Sequence, residues 1–159
     1  LCIDWMLSFA KMYNGVSGRL VGTNLWYTYP SSFPTDKKYH PDELPFFYNE
    51  PTLDKPGKWR PFKYIDGALM CFSKDLFLEI GGFDENIFPG YFGENAFCFN
   101  AFLNGHPILD ANVENLYEHK QDHSEHTKSN LIEWTKNSRK YFYKNDILPN
   151  WEKFLQYVG

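Results

Sequence analysis

The sequence has few cysteines, and none lies at a spacing typical of metal binding. Its 159 residues include only Cys2, Cys71 and Cys98, and no two of them form a CxxC pair. An odd number of thiols without such a pair argues against a disulfide framework and against a cysteine zinc site. We therefore expect a reducing compartment and a cytoplasmic location.

Positive charge and long apolar runs are also scarce. The chain has 16 lysines and arginines against 20 acidic residues, which gives a net charge of -4. Proteins that bind the phosphate backbone of nucleic acids need an excess of basic residues, so we expect no nucleic-acid partner. No run of apolar residues approaches the length of about 20 that is needed to span a bilayer.

Aromatic residues, in contrast, are abundant and make up 19% of the chain. Their rings pack in hydrophobic cores and also stack on nucleobases or on the apolar faces of sugars. Most of the ten prolines lie between Pro30 and Pro61, where they remove backbone donors and interrupt every regular period. This pattern predicts a long aromatic and proline-rich loop over residues 30–63, either a lid or binding loop or a disordered insertion.

The rest of the chain alternates between helical and extended patterns. Apolar periodicity and capping residues predict helices over 4–13, 74–80, 93–103, 128–143 and 151–157. Asp4 and Ser73 are the expected N-caps of the first two helices, and Gly81 with Gly82 is expected to end the second in the left-handed region. β-rich runs predict strands over 19–29, 64–72, 107–109 and 113–117, of which 64–72 is expected to be buried. The fold class is therefore α/β, a mixed sheet with flanking helices.

Acidic residues gather around the predicted N-terminus of the helix 93–103. Asp84 and Glu85 lie on the turn before it, and Glu94 lies with Asn95 in its first turn. Free backbone N–H groups and the helix dipole favour an ionised Glu94. One of these carboxylates is a candidate general base, and the alternative is a solvated acid or a cap.

Histidines form a second cluster of chemical interest. His119, His123 and His126 alternate with Glu118 and Asp122. Imidazole suits zinc or manganese, and carboxylate oxygens suit magnesium or manganese. The spacing matches no established zinc motif. His119 is a stronger metal candidate than His123 or His126, and the alternative is that these histidines are polar loop residues. A metal hydrolase built on this cluster remains an alternative.

The order of these motifs resembles the second half of GT-A glycosyltransferases, particularly family 2 and the related polypeptide GalNAc-transferases. The resemblance runs from about Asp4 to His119 and consists of Gly67 on a strand, then KDLFLEIGGFDE, YFGEN opening a helix, NGHPI and a strand that ends in His119. Family 2 enzymes open this helix with Glu-Asp. The Gly-Glu-Asn of this chain is similar to the GalNAc-transferase motif, in which the glutamate lies beside the reacting sugar. Asn95 cannot take a proton where family 2 has an acid.

The resemblance implies a fold, an activity and a cofactor. Residues 1–127 would be the C-terminal, acceptor-side portion of a Rossmann-like GT-A domain, followed by a helical tail over 128–159. The enzyme would be a metal-dependent glycosyltransferase that moves a sugar from a UDP- or GDP-sugar to a hydroxyl of a glycan, lipid or protein. The cofactor would be Mn²⁺ or Mg²⁺, which neutralises charge on the departing diphosphate.

Donor and metal roles are implied for five positions. Gly67 and Ala68 would allow close backbone approach to the donor sugar. Trp59 and Arg60, at the end of the long loop, would close over the diphosphate. His119 occupies the position of the family's third metal ligand.

Acceptor roles are implied around the acidic group. Asp84 and Glu94 would contact the acceptor or act as base, and Asn95 would contribute to donor or acceptor binding. These families also carry an upstream Asp-x-Asp motif that binds the metal and the nucleotide, and this chain has none. Because the chain begins at Leu1 rather than Met, we expect a fragment whose donor half is missing or supplied elsewhere. The alternative function is a non-catalytic remnant that binds a glycan or a protein through its aromatic loop.

The predicted tail combines basic and aromatic residues. Such a helix suits packing on the missing half of the domain, peripheral contact with a membrane surface, or plain solvation. The residues concerned are Lys136, Arg139, Lys140, Tyr141, Phe142, Tyr143 and Lys144.

Overall fold

The fold is α/β, with a small mixed sheet and flanking helices. The computed structural model describes residues 2–27, 58–87, 92–113 and 128–159, and at 2, 22–27, 58–61, 128–132 and 136 it describes the backbone alone. Three strands, β1 (Val16–Tyr27), β2 (Lys58–Cys71) and β3 (Ile108–Asp110), form a sheet in the order β2-β1-β3. β1 runs antiparallel to β2 and parallel to β3.

Helices occupy the segments whose apolar period predicted them. They are α1 (Cys2–Tyr13), α2 (Lys74–Glu79), α3 (Gly93–Leu103), α4 (Lys128–Phe142) and α5 (Trp151–Val158). A 3-10 turn, Glu85–Ile87, precedes α3, while a π turn, Tyr143–Ile147, and a 3-10 turn, Leu148–Asn150, join α4 to α5. Asp4 is not the N-cap of α1, because the helix begins earlier and places Asp4 in its first turn. None of the described helices is long and apolar enough to cross a membrane.

Helices cover both faces of the sheet. On β2, Leu69 and Cys71 pack against the cluster that contains Met6 of α1, whereas Met70 packs against the cluster that contains Phe97 of α3. Successive side chains of a strand point to opposite faces. α1 and α3 therefore lie on opposite sides of β2.

The largest cluster of buried side chains is aromatic and includes the C-terminal helices. We call it the aromatic core, and its rings include Phe62 of β2, Phe99 of α3, Phe142 of α4 and Phe154 of α5, all fully buried. The rings of Phe62 and Phe154 are stacked at 6.2 Å, and Phe99 meets Phe154 edge-on at 5.9 Å. The tail predicted over 128–159 thus packs into the same core as the sheet and α3. The rings of Phe142 and Tyr143 are buried in the core rather than exposed on the surface of the predicted basic and aromatic helix.

The loop predicted over 30–63 is too long at its C-terminal end. Residues 58–63 belong to β2, where Pro61 lies opposite Asn24 of β1. β2 is at the edge of the sheet, and an edge strand tolerates proline because the missing N–H can face away from its neighbour. Trp59 and Arg60 are therefore strand residues rather than the end of a loop. The remainder of the predicted loop, 30–57, lies outside the described residues.

The strand predicted over 64–72 is not buried throughout. Phe62 and Ile65 are fully buried, whereas Gly67 and Ala68 are exposed. Among the described strands β2 lies at the edge of the sheet, and a strand at the edge is covered less completely than a central one. The strand predicted over 113–117 does not begin at Val113, which is buried but belongs to no strand. Residues 114–117 lie outside the described residues.

Candidate functional site

A cavity of about 560 Å³ opens where β2, the turn after α2 and the start of α3 meet. Three predicted site residues, Gly67, Asp84 and Glu94, come together there. The described residues that line it are Gly67, Phe83, Asp84, Glu85, Ile87, Gly93 and Glu94. The site therefore combines apolar walls with carboxylates, which suits a ligand that has both an apolar face and hydrogen-bonding groups.

Local turn chemistry places Asp84. Ser73 caps α2 by accepting a hydrogen bond from Leu76 N–H at 3.0 Å, as its sequence predicts. Gly81 and Gly82 then adopt φ values of 83° and 76°, in the left-handed region that glycine enters most easily. This reversal ends α2 and directs the next residues toward α3. Asp84 Oδ1 accepts hydrogen bonds from the backbone N–H and the side-chain amide of Asn86, at 2.9 and 2.8 Å, which fixes the carboxylate.

Glu94 lies in the first turn of α3, as predicted. Burial raises the pKa of its carboxyl group, a hydrogen bond from its own backbone N–H partly lowers it, and the charge of Asp66 raises it further. The residue before the helix start, Phe92, has a φ of 83° and no side-chain capping bond. This φ lies in the left-handed region, where a non-glycine residue destabilises the fold by about 1–2 kcal/mol. Backbone conformations of this kind concentrate at functional sites.

Gly67 lies directly beside Glu94 at the cavity wall. A Cβ atom added at Gly67 would lie 3.7 Å from Glu94 Cβ and 4.0 Å from its Oε2, so any larger side chain would occupy the space beside the carboxylate. The neighbouring Asp66 pairs with Arg19, whose Nη1 lies 3.3 Å from Asp66 Oδ2. The backbone N–H of Ala68 donates to Asp66 Oδ1 at 3.0 Å. These contacts hold the Asp66 carboxylate in this part of β2, where its charge acts on Glu94.

Phe83 is a site residue that the sequence reasoning missed. Its ring stacks on Phe97 at 4.5 Å and meets Phe72 and Phe77 edge-on, yet Phe83 remains 44% exposed. Such exposure of a large aromatic ring next to a cavity indicates a surface that a ligand can cover. The sequence feature that could have identified Phe83 is its position between Gly82 and Asp84. An apolar residue in such a turn is not explained by the apolar period of a helix or a strand.

A second, more polar cavity of about 410 Å³ lies on the other side of the same turn and shares Phe83, Asp84 and Glu85 with the first. Asp146, from the π turn after α4, contributes to its wall. Burial, followed by the charge of Asp84, raises the pKa of Asp146 to about 6. The two carboxylates are therefore electrostatically linked across this turn.

Asn95 and Ala68 are not among the described residues that line the first cavity. Asn95 is only 4% exposed, since successive residues of a helix point about 100° apart and Glu94 already faces the cavity. Ala68 is exposed beside it. The backbones of Trp59 and Arg60 lie in β2, and nothing is described of their side chains. Binding roles for these four residues stay predictions.

No metal centre is formed by the part of the chain that the structure describes. Within 2–27, 58–87, 92–113 and 128–159, no three or more His, Cys, Asp or Glu side chains come together in a group that could hold a metal ion. His119, His123 and His126 lie outside these residues. A metal role for His119 stays a prediction.

The cavity unites three residues to which the family resemblance assigns roles, together with an aromatic ring that was not expected. Comparison of the sequence with protein-family models finds no matching family, and comparison with curated proteins and with solved structures finds no similar protein. The function of the cavity therefore has to be argued from its own chemistry.

Proposed function

We propose that this chain is the acceptor-side part of a metal-dependent GT-A glycosyltransferase, which transfers a sugar from a UDP- or GDP-sugar to a hydroxyl of a glycan, lipid or protein. The observation that carries the proposal is the meeting of Gly67, Asp84 and Glu94 at one cavity. These residues come from β2, the turn after α2 and the first turn of α3, and the sequence resemblance assigns all three to the reacting sugars.

Glu94 is the residue that we assign as general base. During transfer, the acceptor oxygen bonds to the anomeric carbon of the donor, the bond from that carbon to the diphosphate breaks, and its electron pair leaves with the diphosphate. The proton of the acceptor hydroxyl passes to the Glu94 carboxylate. Because burial raises the pKa of Glu94, its carboxylate is a stronger proton acceptor than that of an exposed glutamate.

Asp84 is assigned to acceptor binding rather than to proton transfer. Asn86 holds its Oδ1 through two hydrogen bonds, so the carboxylate is oriented before a ligand arrives. A preorganised carboxylate positions a sugar hydroxyl at a low entropic cost. Gly67 leaves the space opposite Glu94 that the reacting groups need.

The proposal includes Mn²⁺ or Mg²⁺, which would stabilise the negative charge of the leaving diphosphate. The expected ligand, His119, lies outside the described residues, and no group among the described side chains could hold the ion. The steps assigned above therefore use the described residues alone.

Substitution of Glu94 tests the proposal in the full-length protein. Release of nucleoside diphosphate from a panel of UDP- and GDP-sugars is measured with Mn²⁺ and with saccharide acceptors. Glu94→Gln is expected to lower kcat by at least about 100-fold, because the amide cannot accept the proton. Asp84→Asn is expected to act chiefly on the KM of the acceptor.

Glu152→Gln is the matched control, since Glu152 is an exposed glutamate in the first turn of another helix, α5. It should leave kcat and KM unchanged. If Glu94→Gln retains the activity of Glu152→Gln, then Glu94 is not the base, and the assignment is wrong.

The alternative is a non-catalytic module that binds a glycan or a protein. It is favoured by Asn95, which stands where family 2 enzymes have an acid and is buried at 4% exposure. Such a module would bind a saccharide without metal or nucleotide and would release no nucleoside diphosphate from any donor. Calorimetry with and without Mn²⁺ and nucleotide separates the two functions.

A further inference from the structure

The cavity beside Glu94 is negatively charged. Asp84, Glu85 and Glu94 contribute three carboxylates, and none of the described residues that line it is a lysine, arginine or histidine. Behind it, the Arg19 guanidinium is paired with Asp66 at 3.3 Å. An anionic ligand would therefore meet like charges without a cation on the described wall to offset them.

The apolar part of the same wall is built for a flat, weakly polar face. Phe83 has one face on Phe97 and remains 44% exposed, and Ile87 and Gly93 continue the surface. Packing with Phe72 and Phe77 holds the ring in place. A pyranose ring has such a face of C–H groups, while its hydroxyls can donate hydrogen bonds to carboxylates.

We propose that the ligand of this cavity is a saccharide without an anionic group, stacked on Phe83 and hydrogen-bonded through its hydroxyls to Asp84 and Glu94. This inference rests on the proposed function, because it takes the cavity as the acceptor site. It adds a substrate class: neutral or amino sugars are accepted, while uronic acids and sugar phosphates are excluded at this position.

The charge of the ligand determines this selectivity, so the difference in affinity between neutral and anionic sugars has an expected size and an expected dependence on salt. A carboxylate on the ligand at roughly 7 Å from a partly exposed carboxylate of the wall weakens binding by about tenfold. The discrimination should shrink as the salt concentration rises, because ions screen charges at the mouth of an open cavity. Stacking on Phe83, in contrast, should be nearly independent of salt.

The experiment compares ligands that differ in charge alone. Methyl pyranosides of glucose, galactose and mannose are titrated into the full-length protein without donor, each beside its uronate and its 2-amino counterpart, and the Kd is measured by calorimetry or ligand-observed NMR. In at least one of the three series, the neutral sugar is expected to bind about tenfold more tightly than the uronate, with the amino sugar at least equal to the neutral one. If uronates bind as tightly as neutral sugars, or no pyranoside binds, the inference is wrong.

Two variants connect the selectivity to the cavity. Glu85→Gln removes one lining carboxylate and should reduce the preference for neutral over anionic sugar by several-fold, whereas Glu152→Gln on α5 should leave the ratio unchanged. Phe83→Leu keeps apolar volume on Phe97 but removes the ring, so it should weaken all the sugars alike. Phe9→Leu makes the same change on α1, where the ring contacts Trp5 and Tyr13 and is not among the described residues that line the cavity, so it should have little effect. An unchanged ratio of neutral to anionic affinity in Glu85→Gln would mean that the ligand does not bind in this cavity. Equal losses of sugar affinity in the two Phe variants would mean the same.

The outcomes also separate this inference from the proposed function. Transfer to a uronate or a phosphorylated sugar would overturn the charge selection and leave the glycosyltransferase assignment in place. Charge-selective binding without release of nucleoside diphosphate from any donor would keep the ligand class and overturn the transferase, in favour of a binding module.

Discussion

Asp146 is held in surroundings that disfavour its charge. It lies in the π turn after α4, where its Oδ2 atom is shielded from solvent and has no hydrogen-bond partner among the described residues. Burial, followed by repulsion from Asp84, raises its pKa from 3.8 to about 6. The folded protein therefore binds this proton more tightly than the unfolded chain does. Stability contributed by the protonated form is present below about pH 4 and is lost as the pH rises toward 6.

Asp146→Asn should remove the loss of stability that occurs as the pH rises. The variant is expected to have a higher free energy of unfolding than the wild type at pH 7 and nearly the same value near pH 4, because asparagine does not ionise. The pKa change corresponds to at most about 3 kcal/mol, and solvent screening of a partly exposed group reduces the expected gain to about 1 kcal/mol. Urea unfolding at pH 4, 5, 6 and 7 measures it.

Asp75→Asn, at an exposed position of α2, controls for the substitution itself. A stability gain for Asp146→Asn that is equal at all four pH values would contradict the electrostatic explanation, and so would a loss at pH 7.

At this scale the sequence predicted the residues whose local pattern is distinctive. Asp84 and Glu94 flank a recognisable helix start, so the sequence pattern groups them, whereas Gly67 was assigned to the same site only by the family resemblance. Phe83 was missed, and the role of Asp146 could not be predicted from the sequence. One is exposed only because the turn after Gly82 directs it outward, and the other reaches Asp84 from a distant part of the chain.

At the scale of elements, α3 was predicted with its true bounds and β2 was not. The start and end of α3 depend on residues within the segment and next to it, namely Glu94 in the first turn and Asn104 with Gly105 at the end. β2 depends instead on pairing with β1. Pro61 is a strand breaker by its own chemistry, and only its place on an edge strand makes it acceptable. Strand pairing is non-local, so propensity alone could not locate this boundary.

Ser138 connects α4 to the short turn that forms the floor of the cavity. Its hydroxyl is buried and donates to Ile87 C=O at 3.0 Å. Ser138→Ala should lower the free energy of unfolding by about 1–2 kcal/mol, because it leaves a buried carbonyl without its partner. It should also weaken saccharide binding, since Ile87 lines the cavity. Urea unfolding and calorimetric titration measure the two effects.

Ser8→Ala is the matched control for this change. The Ser8 hydroxyl also donates to a backbone carbonyl, that of Asp4 at 2.8 Å, but on the exposed face of α1. Water can replace such a bond, so the variant should change stability by less than about 0.5 kcal/mol. If both substitutions have equal effects, the bond between α4 and the turn does not support the cavity.

At the scale of the whole molecule, the C-terminal helices form part of the core rather than an appended tail. Trp151, Phe154 and Val158 of α5 are buried with rings from β2 and α3, and the Tyr157 hydroxyl donates to Lys63 C=O on β2. The sequence predicted α4 and α5 as helices but not their location, because a helical period identifies a buried face without identifying what covers it. The C-terminal helices thus share the aromatic core with β2, the strand that carries Gly67, and with α3, the helix that carries Glu94.

Phe154→Ala tests whether this core unfolds as one unit. Loss of a fully buried ring should lower the free energy of unfolding by about 3–5 kcal/mol, and hydrogen exchange should accelerate in α3 as well as in α5, because Phe154 contacts both Phe62 and Phe99. Lys153→Ala, exposed on the same helix, should change neither quantity measurably. Faster exchange confined to α5, with α3 unchanged, would instead mean that the C-terminal helices unfold independently and that the cavity does not depend on them.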